Sequence, residues 1–323
     1  MAITILNCPS EICAYKRGGS LGFEAIRTAA RQSGSEFFGK LTTVDVGHHN
    51  HLLDHPDPNP HAKRIEGLKT VYEGLISAMG KEFEAGNFPV VVTGDHSLGG
   101  GVLAGVSKAF PTHRLGVVWI DAHADIHSPY TTPSGNMHGM PLAIALNLDH
   151  MAAGKNEPTD QTKKVWEELQ NMGGRQPMLG SEDLVYIALR DLEKEEWHSL
   201  DRHDIEWYPV TEVRGRGVQE VCAKISQKFA DCDSIAISFD VDSMDSETVS
   251  DGTGTPVPGG LSEEEARELL EGLVQLPKVR CLEITEVNPT LDTSGNRMGE
   301  VAFRLLENSC KVISETKARV TPA

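Results

Sequence analysis

The run Leu115-Gly-Val-Val-Trp-Ile-Asp121-Ala-His123-Ala-Asp125 reads as a short buried strand that ends in three ionisable side chains. Its apolar half, Leu115 to Ile120, is continuous, the pattern of a strand covered on both faces. Asp121, His123 and Asp125 then alternate with alanines, and in extended chain residues i, i+2 and i+4 share a side, so the three can converge. The same grammar recurs outward from this stretch. Pro89 to Thr93, Leu184 to Leu189, Ser234 to Phe239 and Val279 to Ile284 are further short runs of strand character; the first leads into Gly94-Asp-His96-Ser97 and the third into Asp240-Val-Asp242. Segments of helical period lie between them. Ile65, Leu68, Tyr72, Leu75, Ile76, Met79 and Phe83 recur at three and four and stop at Gly86, while Ser262-Glu-Glu-Glu265 forms a capping box ahead of Leu269, Leu270, Leu273 and Val274. Strands alternating with amphipathic helices predict an α/β protein with a parallel sheet, whose ligands bind beyond the carboxyl ends of the strands.

Neither a repeat nor a Pro/Gly/Ser linker divides the chain, so residues 1–323 are expected to form a single domain. The segment from about 149 to 181 is polar and turn-rich, with one helical stretch around Val165 to Leu169, and is expected to be an exposed insertion or long loop. A net charge of −17 argues against binding nucleic acid through its phosphates or docking on an anionic membrane. No run approaches the roughly 18 apolar residues of a membrane span, and the N-terminus lacks a basic start followed by a long apolar core, which predicts a cytoplasmic protein. The six cysteines form no C-x-x-C pair and read as reduced thiols.

Three strand ends thus deliver His96, then Asp121, His123 and Asp125, then Asp240 and Asp242 toward one crevice. Four carboxylates and two imidazoles so gathered would repel one another without cations, and two divalent ions would balance the four negative charges. A set free of thiolate and rich in carboxylate suits Mn²⁺ better than a structural zinc. Two competing motifs fail on placement. Gly99-Gly-Gly101-Val-Leu-Ala104 imitates a dinucleotide fingerprint, but Asp95 to Leu98 separate it from its strand. Gly34 to Lys40 approaches a phosphate loop, but Leu41 stands where a Ser or Thr must be. The tract His48-His-Asn-His51, with His55 and His61 among prolines, reads as a solvated or packing loop.

The runs G-D-H-S, D-A-H-A-D and S-F-D-V-D, with Glu286-Val-Asn-Pro-Thr-Leu-Asp292, resemble the metal and substrate motifs of the ureohydrolase superfamily. Thr131-Thr-Pro-Ser134-Gly-Asn136-Met-His138-Gly139 and Gly252-Thr-Gly254-Thr255-Pro256 resemble arginase stretches in particular, and the likeness runs in order from about residue 15 to beyond 300. The resemblance implies a three-layer α/β/α fold with a parallel central sheet and two Mn²⁺ per chain. His96 and Asp125 would bind one ion, His123 and Asp242 the other, and Asp121 and Asp240 would bridge them. A hydroxide held between the ions would attack the guanidino carbon of L-arginine, giving L-ornithine and urea. Glu286 would hold the guanidinium, Asp125 would relay a proton to the leaving amine, His138 would shuttle protons, and Thr255 would line the guanidinium pocket. Thr132, Ser134, Asn136 and Gly139 fall in the substrate loop, and Glu196 matches a water-mediated contact. Two positions depart from the family: His127 replaces an Asn that contacts the substrate carboxylate, and Glu193 replaces an Asp that contacts the α-amino group. Hydroxyarginine, guanidinobutyrate and agmatine are the alternative substrates, and a non-catalytic arginase-like binding protein is the alternative from another class. Arginases commonly form trimers or hexamers, so a homo-oligomer is expected, although Glu264 replaces an Arg that supports some trimers.

Overall fold

The structure is a computed structural model that describes residues 1–320; the last three residues of the expected 1–323 span lie outside it. Eight strands form one sheet: β1 (Ile3–Cys8), β2 (Thr42–Asp45), β3 (Phe88–Thr93), β4 (Leu115–Ile120), β5 (Leu184–Ile187), β6 (Glu206–Tyr208), β7 (Ser234–Asp240) and β8 (Val279–Thr285). Their order is β2-β1-β3-β8-β7-β4-β5-β6, and every pairing is parallel. All five strands expected from the sequence are present, with ends moved by at most two residues. The three unread ones have physical reasons to be faint. β2 and β6 are short edge strands in which Tyr208 alone is buried, and β1 offers only six residues before the chain turns at Pro9.

Alternation along the strands splits the core into two layers. Ile3, Ile5, Val90, Val92, Val118, Ile120, Ile235 and Ile237 face helices Gly22–Gln32, Val218–Lys228, Glu263–Val274 and Arg297–Val320. Leu6, Val91, Val117, Trp119 and Ala236 face helices Ile65–Glu84, Gly99–Ala109 and Pro141–Leu146. This is the three-layer α/β/α arrangement, in which the central strands are covered on both sides and read as apolar runs. Helix Ile65–Glu84 buries Ile65, Leu68, Tyr72, Leu75, Ile76 and Met79, the face expected from its period. The Ser262 capping box is closed in both directions, Glu265 N donating to Ser262 Oγ at 3.1 Å and Ser262 N to Glu265 Oε2 at 2.8 Å.

The 149–181 segment corrects the expectation of an exposed insertion. It holds helix Asp160–Asn171, and Val165, Trp166 and Leu169, followed by Met178 and Leu179, are buried in the second core layer. Its charged residues hid this: Lys163, Lys164 and Glu167 are exposed, so composition registered the outer face of an amphipathic helix.

The chain leaves the sheet at β3 and re-enters at β4, and β8 and β7 fill the gap between them. The carboxyl ends of β3, β8, β7 and β4 are therefore neighbours at the point where strand order reverses, where open α/β sheets bind ligands. Among the described residues, no helix is long and apolar enough to cross a membrane, and all six cysteines are buried and unpaired.

Candidate active site

His96 sits in the turn after β3 and is 1% exposed. Its ring stacks on Trp119, centroids 4.0 Å apart and planes 6° from parallel. Nε2 lies 2.8 Å from Ser238 Oγ, and Ser238 donates its own proton to Glu283 Oε2 at 2.7 Å; Thr93 Oγ1 donates to the other Glu283 oxygen at 2.8 Å. Since the serine proton is committed to Glu283, Ser238 accepts from His96, and the imidazole carries its proton on Nε2. Nδ1 is then a bare lone pair. It is buried without a hydrogen-bond partner, although Asp121 Oδ2, Asp125 Oδ2 and Asp240 Oδ2 stand 2.9, 3.1 and 3.1 Å away. A nitrogen lone pair aimed among three carboxylate oxygens is a donor set for a cation.

His123 repeats the pattern one position along. Its Nδ1 lies 3.0 Å from Asp242 Oδ2 and 3.4 Å from Asp121 Oδ1. Ligand atoms of His96, Asp121 and Asp240 lie within 4.8 Å of one another, as do those of Asp121, His123 and Asp242. The two groups share Asp121, as a carboxylate bridging two ions requires. Asp240 joins only the first group, and Asp125 approaches His96 without completing either. Backbone and indole donors orient these acids: His123 N and Trp119 Nε1 donate to Asp121 at 2.7 and 3.0 Å, Asp242 N to Asp240 Oδ1 at 2.8 Å, and Ala122 N to Asp242 Oδ1 at 3.2 Å. Burial and the Asp121 charge push Asp125 up to about 7, and burial followed by Asp242 and Asp121 raises Asp240 well above the carboxylate range. Such strain among like charges is what bound cations relieve. The residues present therefore fit a pair of divalent ions.

Glu286 follows β8 with φ +66, and Asp125 has φ +50, conformations that non-glycine residues adopt at a cost and that cluster at functional sites. Glu286 is buried, accepts the His96 amide at 3.0 Å, and has its carboxyl pushed well up by burial and then by Asp240. His138 Nδ1 lies 3.9 Å from Glu286 Oε1, and burial pushes its pKa down to about 4, so it is neutral at physiological pH.

A cavity of about 240 Å³ opens beside these groups. Its walls include His123, Asp125, Asp240 and Asp242 together with His127, Thr132, Ser134, Asn136, His138, Gly139, Glu193, Glu196 and Thr255, so every residue expected to bind substrate borders it except Glu286. Thr255 Oγ1 donates to Asp242 Oδ2 at 2.9 Å. Several polar atoms of the lining already accept a hydrogen bond from the protein. Thr132 Oγ1 takes the Gly135 amide at 2.9 Å, Ser134 Oγ the Asn136 amide at 3.1 Å, and Asn136 Oδ1 the Lys63 ammonium at 3.1 Å. Thr131 Oγ1 takes the Ser128 amide at 3.1 Å, which leaves its hydroxyl proton for His127 Nδ1 at 3.1 Å. His127, held neutral because burial lowers its pKa to about 4, thus keeps its proton on Nε2. That Nε2 is buried and makes no hydrogen bond, though Glu193 Oε2 lies 3.0 Å away. The same lining carries the carboxyls of Asp191, Glu193 and Glu196, and Glu196 Oε2 also lies 4.0 Å from His127 Nε2.

Several residues of the site escaped the sequence reading. Ser238 and Glu283 were hidden inside strands, yet a polar residue in an apolar strand, two places before a ligand in the case of Ser238, is a usable signal. Tyr15 and Asp191 also border the cavity, and nothing in their local sequence marks them. The His48–His61 tract forms no metal cluster among the described residues. Just after it the chain reaches the substrate loop, where Lys63 N donates to the Gly135 carbonyl at 2.8 Å.

Comparison with known proteins agrees with this geometry. The arginase of Bacillus subtilis (strain 168) is 32% identical over 312 residues, 95% of this chain and 96% of that protein. The arginase of Bacillus caldovelox is 33% identical over 94% of this chain and 96% of its own. The solved structure of Entamoeba histolytica arginase in complex with L-ornithine superposes with a TM-score of 0.80 at 28% identity, covering 96% of this chain and 97% of that one. A profile of the arginase family matches residues 1–310, and with a parallel sheet, strand-end donors and relatives of full length in accord, the chain belongs to the arginase family of hydrolases.

Proposed function

We propose that the protein is a dinuclear manganese arginase, hydrolysing L-arginine to L-ornithine and urea. His96, Asp121, Asp125 and Asp240 would hold one ion, and His123 and Asp242, with the shared Asp121 and Asp240, the other. When bound, two Mn²⁺ would supply Lewis acidity and bring the ionisation of water toward neutral pH. The chain does the rest. Glu286, which accepts the His96 amide, holds the planar guanidinium by hydrogen bonds, and the cation it faces draws its raised carboxyl back toward the ionised form. Thr255 closes that end of the pocket. Asp125 relays the proton of the attacking hydroxyl to the departing amine, and the neutral imidazole of His138 exchanges protons with solvent.

The choice of an amino acid rests on one observation. Thr132, Ser134 and Asn136 each already accept a hydrogen bond from the protein and each keeps a donor hydrogen, on a hydroxyl or on Nδ2, to offer the cavity, the complement of a carboxylate. Asp191 and Glu193, in the same lining, complement an ammonium. A zwitterionic head group satisfies both sets of groups, whereas agmatine would leave the donors unpaired. Urea release from L-arginine, hydroxyarginine, agmatine and guanidinobutyrate after Mn²⁺ loading tests this, with L-arginine expected to give the highest kcat/KM. Activity on none would sink the enzyme, and a preference for agmatine would sink the arginase reading. A cytoplasmic homo-oligomer, trimer or hexamer, belongs to the same proposal, and light scattering of the loaded protein measures its assembly.

A further inference from the structure

The wall that offers donors to the cavity is braced by a segment outside the catalytic motifs. Gly135 has φ +73 and lies so close to the Pro60 carbonyl that a side chain there would collide with it. Next to this contact Lys63 donates its backbone amide to the Gly135 carbonyl at 2.8 Å and its ammonium to Asn136 Oδ1 at 3.1 Å. Asn136 is 9% exposed and borders the cavity. An amide whose oxygen is held by an ammonium must turn its Nδ2 hydrogens elsewhere, and here the ammonium settles which way the amide is turned. Lys63 also bears on charge. The cavity is lined by Asp125, Asp191, Glu193, Glu196, Asp240 and Asp242, and among the described residues no Lys or Arg lines it. Lys63 is half-buried and stands one side chain behind the lining, within reach of it through Asn136.

We infer that Lys63 is a positioning residue for the carboxylate of the substrate: by holding Asn136 Oδ1 it presents the Asn136 Nδ2 donor to that carboxylate and sets a positive charge behind it. This rests on the amino acid substrate proposed above. A structural staple for the loop would act on any substrate, whereas a carboxylate-directed residue acts only on substrates that have one.

The test uses the full chain loaded with Mn²⁺, as wild type, Lys63→Met, Lys63→Arg, Asn136→Ala and the Lys63→Met/Asn136→Ala double variant. L-arginine is compared with agmatine, and calorimetric binding of L-ornithine with that of putrescine, pairs that differ by the carboxylate. Lys63→Met is expected to raise KM for L-arginine and Kd for L-ornithine about tenfold, the order of one hydrogen bond to a charged group, with little change in kcat. Agmatine and putrescine should be unaffected, Lys63→Arg should restore most of the loss, and in the Asn136→Ala background Lys63→Met should add almost nothing. Equal losses on both members of each pair, or a fall in kcat on both substrates, would reduce Lys63 to a loop staple and overturn the inference alone, as would an unchanged Lys63→Met. A wild type inactive on L-arginine overturns the underlying reading, and the inference with it, before any variant is measured.

Discussion

His96 gives its Nε2 proton to Ser238 at 2.8 Å, and that single bond decides that Nδ1 faces Asp121, Asp125 and Asp240 as a lone pair. The serine is held in turn by Glu283. Removing such a partner frees the tautomer and the ring, and losses of about 10- to 100-fold in metal affinity are typical. Ser238→Ala should show this in a Mn²⁺ titration against a competing chelator, with turnover recovering when Mn²⁺ is saturating. An unchanged affinity would mean that the Trp119 stack alone orients the imidazole.

Metal holding and proton transfer separate by residue. Asp240→Ala takes away an oxygen 3.1 Å from His96 Nδ1 and a proposed bridge, so metal content and urea production should fall together. His138 lies in no cluster of potential ligands among the described residues. His138→Ala should therefore keep its metal while kcat drops by roughly 100-fold or more, the usual weight of a positioned acid or base. Metal analysis alongside initial rates distinguishes the two, and joint loss of metal in both variants would contradict the assignment.

The sequence made the central strands legible because they are buried on both faces, and it made the strand-end donors legible because two-residue spacing in extended chain forces convergence. It did not show the bonds that set their chemistry. Ser238 and Glu283 belong to different strands, and only the β7–β8 register, Ser238 opposite Glu283, brings them together beneath His96. Lys63 and Asn136 are likewise 73 residues apart. Such contacts follow from topology, which local pattern does not carry. The 149–181 segment failed for another reason: half of an amphipathic helix is polar, and a short one among turns reads as its polar half.

That correction has a measurable consequence. Leu169 is fully buried in helix Asp160–Asn171, whereas Glu167, two residues earlier, is exposed. Leu169→Ala should destabilise the protein by about 2–5 kcal/mol through lost transfer energy and the cavity left behind. Glu167→Ala should stay within about 0.5 kcal/mol of wild type. Denaturant unfolding gives both numbers, and a small effect at Leu169 would return the segment to the surface.

Glu196 supplies a pH signature. It is 5% exposed, its Oε2 accepts the Glu193 amide at 3.0 Å, and burial pushes its carboxyl up to about 8. Between the ordinary glutamate value and about 8, the folded chain retains a proton that the unfolded chain has released. Stability from this group is therefore lost progressively as pH rises through that window, with no further change above it. Glu196→Gln keeps the amide acceptor and removes the charge. Thermal melts of the two proteins should coincide near pH 4.5 and separate as pH climbs, with the variant melting ~3 °C or more above wild type at pH 9. Curves that stay parallel over the whole range would place the pH dependence on other groups and show that the buried carboxyl ionises without cost.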